Sequence, residues 1–485
     1  MVFFLPIDFF SSWRIELHVL LAVLVLALLS WIWLFIKSFG SYMNTPIIRN
    51  TVAIVSENHK KNLAKDKTFV SVIVPARNEE DNIRKCLLSI LKQEYSNFEV
   101  IAIDDNSEDR TFKIMKEISL KEVPRKKKLI VISLSTKPDG WMGKTWASQQ
   151  GYLNSHGEIL LFIDADSFFE SKFAIRLTVS QMLSEKLDAL TGVPYLPLID
   201  FWSKVVMPVW NLYSEVFNRG IADANDPRSK VAFVMGSFFM INREVFENIG
   251  TYKSVKDEIQ EDKAIGNLLK TSQYRLKMFK IDSLVSALWS RDISSLWHGI
   301  RRSVMPALVD NKSRIILHQL LMFTMVALPF FLLPYTAVML YGRSIYIPPP
   351  SFVSVIPNNN TLILSSTAPD SSGEALQFDT RGFNSNYPFV LNPANKGEIY
   401  LKNILFWLNL SLCLLVITAT GIKSIMKYRL MPLYSVLCFI GGLFLIASYA
   451  YSTFPLLIGL GVKPIKWRGR AHFLHSNYNE KNKTI

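Results

Sequence analysis

Cysteine is scarce in this sequence, with three residues in 485: Cys86, Cys413 and Cys438. No CxxC or Cys/His spacing occurs, so we expect neither a disulfide framework nor a structural zinc site. Acidic residues are too few to balance the basic ones, 40 against 54, which leaves a net charge of +14. Such a chain is attracted to anionic lipid headgroups or anionic small molecules. We expect no nucleic-acid partner, because the long hydrophobic runs indicate a membrane protein.

Long apolar runs are plentiful instead, and 49% of the residues are hydrophobic. Residues 17–39 form the first run, which at about 1.5 Å per residue is long enough to cross a bilayer core of about 30 Å. We interpret residues 1–40 as a transmembrane anchor and 41–67 as a juxtamembrane linker. A cleaved signal peptide is the alternative, but the start of the chain is not basic and no A-x-A site follows. Basic residues after the run predict a cytoplasmic location for the next domain.

Further apolar segments occupy residues 316–341 and 401–460. The first contains two prolines and is predicted to be transmembrane or re-entrant, whereas the second is predicted to hold transmembrane helices. Residues 342–400 between them are rich in Pro, Asn and Ser, as expected of an external loop with short strands at most. Asn359 begins a formal glycosylation sequon, and a polar turn is an equally good interpretation.

Residues 68–315 have the pattern of a mixed α/β domain, because short β-branched runs alternate with amphipathic helical patterns. Continuous apolar runs at 69–76, 98–105, 128–134 and 158–166 predict buried strands of a mainly parallel sheet. Sheets of this kind bind ligands at the carboxyl ends of their strands.

Acidic side chains end two of these strands, Asp104 and Asp105 after the second and Asp164 and Asp166 after the fourth. Two carboxylates one residue apart can share a hard cation such as Mg²⁺ or Mn²⁺, which prefers oxygen ligands plus substrate phosphates. A lone D-x-D is also common in solvated turns. The second acidic pair at the same sheet edge favours a ligand site.

These segments resemble the nucleotide-sugar half of family 2 glycosyltransferases with the GT-A fold. The family's P-x-x-N-E ending of the first strand matches Pro75, Asn78 and Glu79. By this resemblance, Asp105 binds the base and ribose of a nucleotide sugar and Asp104 supports it. The family's D-x-D corresponds to Asp164 and Asp166, with Asp166 the principal metal and diphosphate ligand.

Gln260-Glu261-Asp262 precedes a helical run and resembles the family's E-D motif, whose aspartate is the catalytic base. An acceptor hydroxyl has a pKa far above neutrality, so a carboxylate that removes its proton helps the transfer. Asp262 is therefore the predicted catalytic base and Glu261 a tentative site residue. Alternatively, both side chains simply favour the positive end of their helix.

The family's Q-x-x-R-W motif is present only in degenerate form, as His298-Gly299-Ile300-Arg301-Arg302. Arg301 is predicted to bind the diphosphate, since a guanidinium suits phosphate oxygens. His298 and Arg302 are tentative site residues, and Trp297 is a possible replacement for the missing tryptophan. Arg302 is equally well explained as a basic residue that snorkels at a membrane surface.

Two other segments resemble the lipid-modifying members of the family, the ceramide glucosyltransferase-like and hopanoid- and carotenoid-associated groups. One is Gly-x-x-Gly-Lys-x-Trp-Ala, in which Lys144 is a candidate contact for the donor's phosphates or base, or a solvated lysine at a helix start. The other is the basic tail, residues 461–485, whose WRGR sequence supplies Trp467, Arg468 and Arg470 as tentative site residues.

The predicted crossings conflict with the charge of the tail. If every apolar segment crosses the membrane, the tail lies outside, although its basic residues favour the cytoplasm. We therefore predict a cytoplasmic tail near the donor site and one re-entrant segment, either 316–341 or 432–460. Residues 198–217 are too polar to span and form either an interfacial helix that presents an acceptor lipid or a helix of the catalytic core.

The sequence thus predicts an α/β protein with a Rossmann-like GT-A catalytic domain and flanking transmembrane helices. The resemblance implies an inverting enzyme that moves a sugar from a nucleotide-diphosphate donor, expected to be a UDP-sugar, to a membrane lipid, with Mg²⁺ or Mn²⁺. A processive polysaccharide synthase is one alternative, although it should have more membrane helices. A non-catalytic nucleotide-sugar-binding subunit is the other, suggested by the degenerate H-x-x-R-R.

Overall fold

A computed structural model describes most of the chain. The described residues are 7–49, 67–124, 127–217, 224–226, 228–229, 231–308, 312–341, 355–358, 361–364, 377–379, 393–458, 465–467 and 470–472. The chain divides into two compact units, one made of residues 1–30 and 327–415 and the other of residues 31–326 and 416–485.

The secondary structure has the following bounds. The helices are α1 (Ile7–Asn44), α2 (Ile83–Leu91), α3 (Thr111–Lys121), α4 (Gly143–Leu153), α5 (Ala174–Ser184), α6 (Phe201–Phe217), α7 (Arg243–Asn248), α8 (Glu261–Thr271), α9 (Ile293–Leu308), α10 (Lys312–Met322), α11 (Leu328–Tyr341), α12 (Pro393–Tyr428) and α13 (Cys438–Leu457). The strands are β1 (Val70–Ala76), β2 (Phe98–Asp105), β3 (Leu129–Leu134), β4 (Ile159–Phe162), β5 (Ser167–Phe169), β6 (Ala189–Val193), β7 (Phe239–Asn242), β8 (Leu276–Lys280), β9 (Val285–Ala287), β10 (Val355–Asn358), β11 (Thr361–Leu364), β12 (Gln377–Asp379), β13 (Ile465–Trp467) and β14 (Arg470–His472).

The second unit is built on a seven-stranded sheet, as far as the described residues show, in the order β3-β2-β1-β4-β7-β6-β8. The pairs β3–β2, β2–β1, β1–β4 and β6–β8 are parallel, whereas β7 runs antiparallel to both of its neighbours. The central strands β1 and β2 are buried along almost their whole length, because their apolar residues face helices on both sides. The predicted α/β fold with a mainly parallel sheet is confirmed.

Alternate residues of the strands enter two separate hydrophobic cores, since successive side chains of a strand point to opposite faces. On one face, Val72 and Val100 pack in the core that contains α2, α3 and α5. On the other, Ile73 and Ile101 pack in the core that contains α4, α7 and α8. The helices therefore cover both faces and leave the strand ends as the accessible edge.

The register of the parallel strands brings their loops together. Ala76 at the end of β1 pairs with Asp104 in β2, and Ile73 in β1 pairs with Phe162 at the end of β4. The loops that follow β1, β2 and β4 consequently leave the sheet at one edge.

Within the described ranges, four helical segments are long and apolar enough to cross a membrane. They are Glu16–Asn44, Gln319–Leu340, Ile399–Tyr428 and Pro432–Pro455. The first unit contains parts of these segments and a small antiparallel sheet, β10-β11-β12, which lies within residues 342–400. Asn359 lies outside the described residues.

Helix α13 packs closely on helix α6 within the second unit. A Cβ atom on Gly441 would stand 2.6 Å from the carbonyl oxygen of Val205, so glycine allows the two backbones to approach. Aromatic rings continue the contact, with Trp202 against Phe444 at 6.0 Å and Tyr213 against Tyr449 at 5.8 Å between centroids. The amphipathic segment 198–217 therefore joins the α/β domain to an apolar helix.

Candidate active site

The loops after β1 and β2 are fastened to each other at the edge of the sheet. Arg77 donates hydrogen bonds to the backbone carbonyl of Asp105 at 2.7 Å and to that of Asn106. Asn78 has a left-handed backbone, with φ of 53°, which asparagine adopts more readily than most residues. Its side-chain oxygen accepts a hydrogen bond from the backbone N–H of Glu108 at 2.9 Å. Asn78 thus shapes the loop that follows the first strand.

Asp104 and Asp105 are almost fully buried at the end of β2. The Oδ2 atom of Asp104 accepts long hydrogen bonds from the Ser107 N–H at 3.4 Å and the Ser133 hydroxyl at 3.5 Å. Its Oδ1 atom has no hydrogen-bond donor among the described residues. A buried carboxylate oxygen of this kind is expected to accept a hydrogen bond from a ligand.

Glu79 is held by an arginine from a distant part of the chain. Its carboxylate forms an ion pair with Arg291 and accepts a hydrogen bond from Asn82 at 2.9 Å. Arg291 also pairs with Asp81 at 2.9 Å. Sequence analysis did not identify Arg291, which belongs to no motif and lies 212 positions from Glu79. The pairing ties the start of α9 to the loop after β1.

Asp164 and Asp166 occupy the turn between β4 and β5. The backbone N–H of Ser167 donates to the Asp164 carbonyl at 3.0 Å, and the N–H of Leu288 donates to the Asp166 carbonyl at 3.0 Å. Both carboxylates are partly exposed, whereas Ala165 between them is buried. The turn therefore directs its two acidic side chains away from the hydrophobic core.

Lys144 joins two acidic side chains from separate elements. Its ammonium group, at the start of α4, lies 2.6 Å from Asp164 Oδ1 and 2.9 Å from Glu261 Oε1. Burial opposes the charge of Lys144, but the two carboxylates outweigh this effect and raise its pKa well above the ordinary value. An ammonium has three N–H donors, and these carboxylates use two of them.

Asp262 lies in the first turn of α8, next to Glu261. One of its carboxylate oxygens accepts a hydrogen bond from the Lys263 N–H at 2.8 Å. Burial and the negative charge of Glu261 raise the pKa of Asp262 to about 6, while Lys144 and Arg302 act in the opposite direction. This pKa allows Asp262 to be ionised at neutral pH and still to accept a proton readily.

One pocket brings together residues from six parts of the chain. Of the predicted site residues, Pro75, Lys144, Asp164, Glu261 and Asp262 line it. The other lining residues were missed by sequence analysis: Ser148, Phe162, Ile163, Val234, Gly236, Phe239, Tyr252 and Ile265. No sequence signal marks most of them, because an apolar or glycine residue in a pocket looks like one in a core.

Arg301 lies against α13. Its Nε atom donates to the Ser452 hydroxyl at 2.8 Å, and its guanidinium lies 5.1 Å from the ring centre of Tyr451. One of its terminal nitrogens has no hydrogen-bond partner in the described part of the chain. Trp297 also faces α13, with its ring 5.3 Å from that of Phe444. These two side chains do not line the pocket, whereas Arg302 is close enough to affect the pKa of Asp262.

The C-terminal hairpin lies near these residues. Strand β13 contacts helix α9, which carries His298, Arg301 and Arg302. Trp467 ends β13 and Arg470 begins β14 in an antiparallel pair. Arg468 lies outside the described residues. The roles predicted for the tail and for the H-x-x-R-R sequence therefore remain predictions.

The residues present fit a divalent cation held in part by the substrate. Among the described residues, no group of three or more His, Cys, Asp or Glu side chains could hold a metal by itself. Mg²⁺ is often bound by one or two carboxylates together with substrate phosphates and water. Asp164 and Asp166 can provide those carboxylates, and Lys144 already neutralises part of the charge of Asp164.

Comparison with known proteins identifies the domain. Residues 71–250 match the family model described as Glycosyl transferase family 2. This part of the chain therefore matches the family 2 glycosyltransferases, and the resemblance seen in its motifs is confirmed. The matched residues include both acidic pairs and Lys144 but end before Glu261 and Asp262.

Curated relatives include the Probable glycosyltransferase YdaM of Bacillus subtilis, which is 29% identical over 188 residues, 38% of this chain and 43% of that protein. The 4,4'-diaponeurosporenoate glycosyltransferase of Staphylococcus haemolyticus is 23% identical over 227 residues, 47% of this chain and 58% of that protein. The chain thus spans about half the length of these two relatives.

Solved structures that the chain matches include the mannosyltransferase PcManGT of Pyrobaculum calidifontis in complex with GDP-Man and Mn²⁺. Its TM-score is 0.44 at 16% identity, and the match covers 68% of this chain and 93% of that one. TarS 1–349 of S. aureus in complex with UDP-GlcNAc has a TM-score of 0.33 at 13% identity, and the match covers 84% and 96% of the two chains.

Gly236 allows the Lys144–Asp164 ion pair to form, and this can be tested. A Cβ atom at position 236 would stand 2.5 Å from Lys144 Nζ and 3.1 Å from Asp164 Oδ2. Because the end of a lysine side chain moves easily, Gly236→Ala should displace Lys144 and leave the fold intact. We expect glycosyl transfer to slow on the order of 10²-fold, as misplaced catalytic groups do.

The measurement is a transfer rate together with a thermal unfolding curve. Gly397→Ala is the matched control, since position 397 is exposed and a Cβ atom there would meet nothing within 4 Å. If Gly236→Ala transfers sugar at the wild-type rate, the Lys144–Asp164 ion pair is not required for transfer.

Proposed function

We propose that the protein is a membrane-bound, inverting glycosyltransferase that moves a sugar from a nucleotide-diphosphate sugar to a lipid acceptor. The observation that carries the proposal is the pocket in which Lys144, Asp164, Glu261 and Asp262 converge within and beside a family 2 glycosyltransferase domain. The four apolar helices support a lipid acceptor, because such a substrate is reached from a membrane.

The donor is proposed to bind along the edge where β1, β2 and β4 end. The buried Asp104 and Asp105 carboxylates would bind the base and ribose of a UDP-sugar, with Asp104 Oδ1 able to accept a hydrogen bond. Asn78 and Glu79 shape the adjoining loop. Asp164 and Asp166 would hold Mg²⁺ or Mn²⁺, which when bound compensates the charge of the diphosphate.

Asp262 is proposed to act as the general base. It takes the proton of the acceptor hydroxyl while the acceptor oxygen bonds to the anomeric carbon, and the bond from that carbon to the diphosphate breaks with its electrons. Lys144 stabilises the departing diphosphate, because its positive charge is already fixed beside the pocket and needs no rearrangement. Attack on the face opposite the leaving group inverts the anomeric carbon.

The acceptor is proposed to reach the pocket from the side of α6 and α13. These helices are lined with aromatic rings, and α6 carries exposed Phe201 at its start. Aromatic residues are favoured at membrane interfaces, where a lipid headgroup would be presented. The name of one relative joins glycosyl transfer to 4,4'-diaponeurosporenoate, which supports an apolar acceptor here.

The transfer itself is tested with full-length protein in detergent, radiolabelled nucleotide sugars, Mn²⁺ and a lipid extract of the host. We expect label in the organic phase with at least one donor, and loss of that label in EDTA or with Asp166→Ala. Lys172→Ala, on the exposed surface, is the control. Nucleotide binding without any transfer would favour the non-catalytic alternative, and full activity of Asp166→Ala in chelator would refute the metal site.

The roles of Asp262 and Asp105 are expected to separate in a paired experiment. Asp262→Asn should lower kcat by about 10²–10⁴ with little change in nucleotide affinity, whereas Asp105→Asn should weaken nucleotide binding. In the wild type, kcat/KM should fall as the pH drops through about 6, because Asp262 becomes protonated and can no longer accept a proton. Single-turnover rates and nucleotide titrations provide the measurements. Near-normal turnover by Asp262→Asn would make Glu261 the next candidate.

We further propose that the catalytic domain and the C-terminal tail are cytoplasmic and that α13 does not cross the membrane. Helix α13 lies along α6 at Gly441 and along α9 at Ser452, and strand β13 after it contacts α9. Three crossings then remain, which leave residues 342–392 outside and the basic tail inside, in agreement with the positive-inside rule.

Cysteine labelling of intact cells tests this topology. A cysteine introduced at position 470 should react with an impermeant maleimide only after the membrane is permeabilised, whereas one at position 370 should react from outside. The cysteines at 86, 413 and 438 are buried and are replaced beforehand. Labelling of position 470 in intact cells would contradict the proposal.

A further inference from the structure

Helices α6, α9 and α13 contact one another in pairs, and we call the place where they meet the three-helix junction. Arg301 on α9 is buried there, and its Nε atom donates to the Ser452 hydroxyl of α13 at 2.8 Å. Ser448 lies one turn before Ser452 and therefore on the same face of α13. The junction thus places a buried guanidinium against two serines of an apolar helix.

Three polar atoms at the junction have no hydrogen-bond partner among the described residues. They are a terminal nitrogen of Arg301, the Ser448 hydroxyl and the side-chain oxygen of Asn211 on α6. All three side chains are more than nine-tenths buried. Asn211 follows Trp210, whose ring lies 6.3 Å from that of Tyr449, the residue after Ser448. Because buried polar groups are almost always hydrogen-bonded, this combination of unpaired donors and acceptors indicates a ligand.

The charge of Arg301 is not paired with a carboxylate in the described part of the chain. A guanidinium has five N–H donors, and within that part Arg301 uses the one on Nε. Its other contact there is the Tyr451 ring, whose centre lies 5.1 Å from the guanidinium carbon. Burial lowers the pKa of Arg301, and Tyr451 opposes that shift. Arginine is almost never fully buried without a partner, so the junction is suited to an anion.

The surroundings of Arg301 are typical of a membrane interface. Tyr451 is 48% exposed, and Phe454, about one turn further along α13, is 59% exposed. Trp297, one turn before Arg301, lies 5.8 Å from Tyr451 and 5.3 Å from Phe444 between ring centres. Aromatic side chains are favoured where lipid headgroups meet acyl chains. These rings favour an anion that is carried by a lipid.

Helix α9 also connects the junction to the proposed catalytic base. Arg302, the residue after Arg301, is close enough to Asp262 to lower its pKa. The Gln260 side chain, two residues before Asp262, donates to the Ser303 carbonyl of α9 at 3.0 Å. A lipid bound at Arg301 therefore has its headgroup on the helix that contacts the Asp262 turn.

We propose that the three-helix junction binds the phosphate or carboxylate of an anionic lipid acceptor, with Arg301 as its principal ligand. The planar guanidinium matches two oxygens of either group. The Ser448 hydroxyl donates a further hydrogen bond, and the Asn211 oxygen accepts one from a hydroxyl of the headgroup. Arg301 then serves the acceptor and not the donor diphosphate. The inference rests on the proposed function only for the identity of the lipid as the acceptor.

The test measures lipid binding by the full-length protein in phosphatidylcholine nanodiscs. The probes are phosphatidic acid and a diacylglycerol with the same acyl chains, which differ only in the phosphate. We expect native mass spectrometry to retain phosphatidic acid in preference to diacylglycerol. Arg301→Gln should weaken phosphatidic acid binding roughly 10- to 100-fold, as expected for lost hydrogen bonds to a charged group. Arg301→Lys should lie between the two, because an ammonium keeps the charge but lacks the planar fork.

Ser448→Ala tests the same site with a smaller change, in case Arg301→Gln does not fold. The Ser448 hydroxyl has no partner among the described residues, so its removal should leave the unfolding temperature of the lipid-free protein unchanged. Phosphatidic acid binding should weaken about fivefold, the contribution of one ordinary hydrogen bond. Arg228→Gln is the matched control for charge, because the Arg228 side chain is 92% exposed.

Nucleotide binding separates this site from the donor site. Arg301→Gln should leave the affinity for UDP unchanged and should raise the KM for the lipid extract with little change in kcat, because it removes a contact to the acceptor alone. A loss of UDP affinity with normal phosphatidic acid binding would assign Arg301 to the donor diphosphate and overturn the proposal.

Three further results would each refute the lipid site: an equal loss of binding in Arg228→Gln, equal retention of diacylglycerol, or unchanged binding in both Arg301→Gln and Ser448→Ala. Inorganic phosphate that stabilises the wild type as much as phosphatidic acid does, but not Arg301→Gln, would assign the site to a soluble anion and exclude the lipid. If the wild type retains phosphatidic acid but transfers no sugar, only the proposed function is refuted.

Discussion

The ammonium of Lys144 holds together the acidic side chains of the pocket. Asp164 follows β4 and Glu261 begins α8, so like charges from separate elements face a common space. Without a cation between them their repulsion would be strong, because partly buried charges are screened poorly by solvent. Lys144 supplies that charge, and Gly236, which has no side chain, leaves space for the Lys144 ammonium. The rest of the pocket, including Asp262, is arranged around this ion pair.

The same edge of the sheet organises the proposed donor side. Parallel register makes β1, β2 and β4 end at one edge, so that the acidic pair at the end of β2 and the acidic pair after β4 lie on either side of β1. Arg77, in the loop after β1, hydrogen-bonds to the backbone carbonyl of Asp105 at the end of β2. Arg291, just before α9, forms an ion pair with Glu79 in the loop after β1. These contacts hold the loops of the proposed donor edge in place, which is favourable for positioning a reacting group.

The contact between the α/β domain and the apolar helix α13 depends on close helix packing. Gly441 brings the backbone of α13 against that of α6, and aromatic rings fill the contact on either side. Arg301 turns toward the same helix and hydrogen-bonds to Ser452. The family motif predicts that Arg301 binds the diphosphate. In the structure, Arg301 also connects helix α9 to the apolar helix α13. The residue after Arg301 is Arg302, where the family motif has a tryptophan. Arg302 lies close enough to Asp262 to lower its pKa.

The sequence by itself determined the parts of this protein that depend on local pattern. Continuous apolar runs identified β1 to β4, hydropathy identified the candidate membrane spans, and short motifs pointed to Asp104, Asp164 and Asp262 as candidate site residues, because each signal is contained in a few adjacent residues. Only the tertiary structure decided which side chains meet. The Glu79–Arg291 pair, the Lys144 bridge and the turn of Arg301 toward Ser452 join residues far apart in sequence. Such contacts follow from how the packed elements are oriented, and no local pattern encodes that orientation.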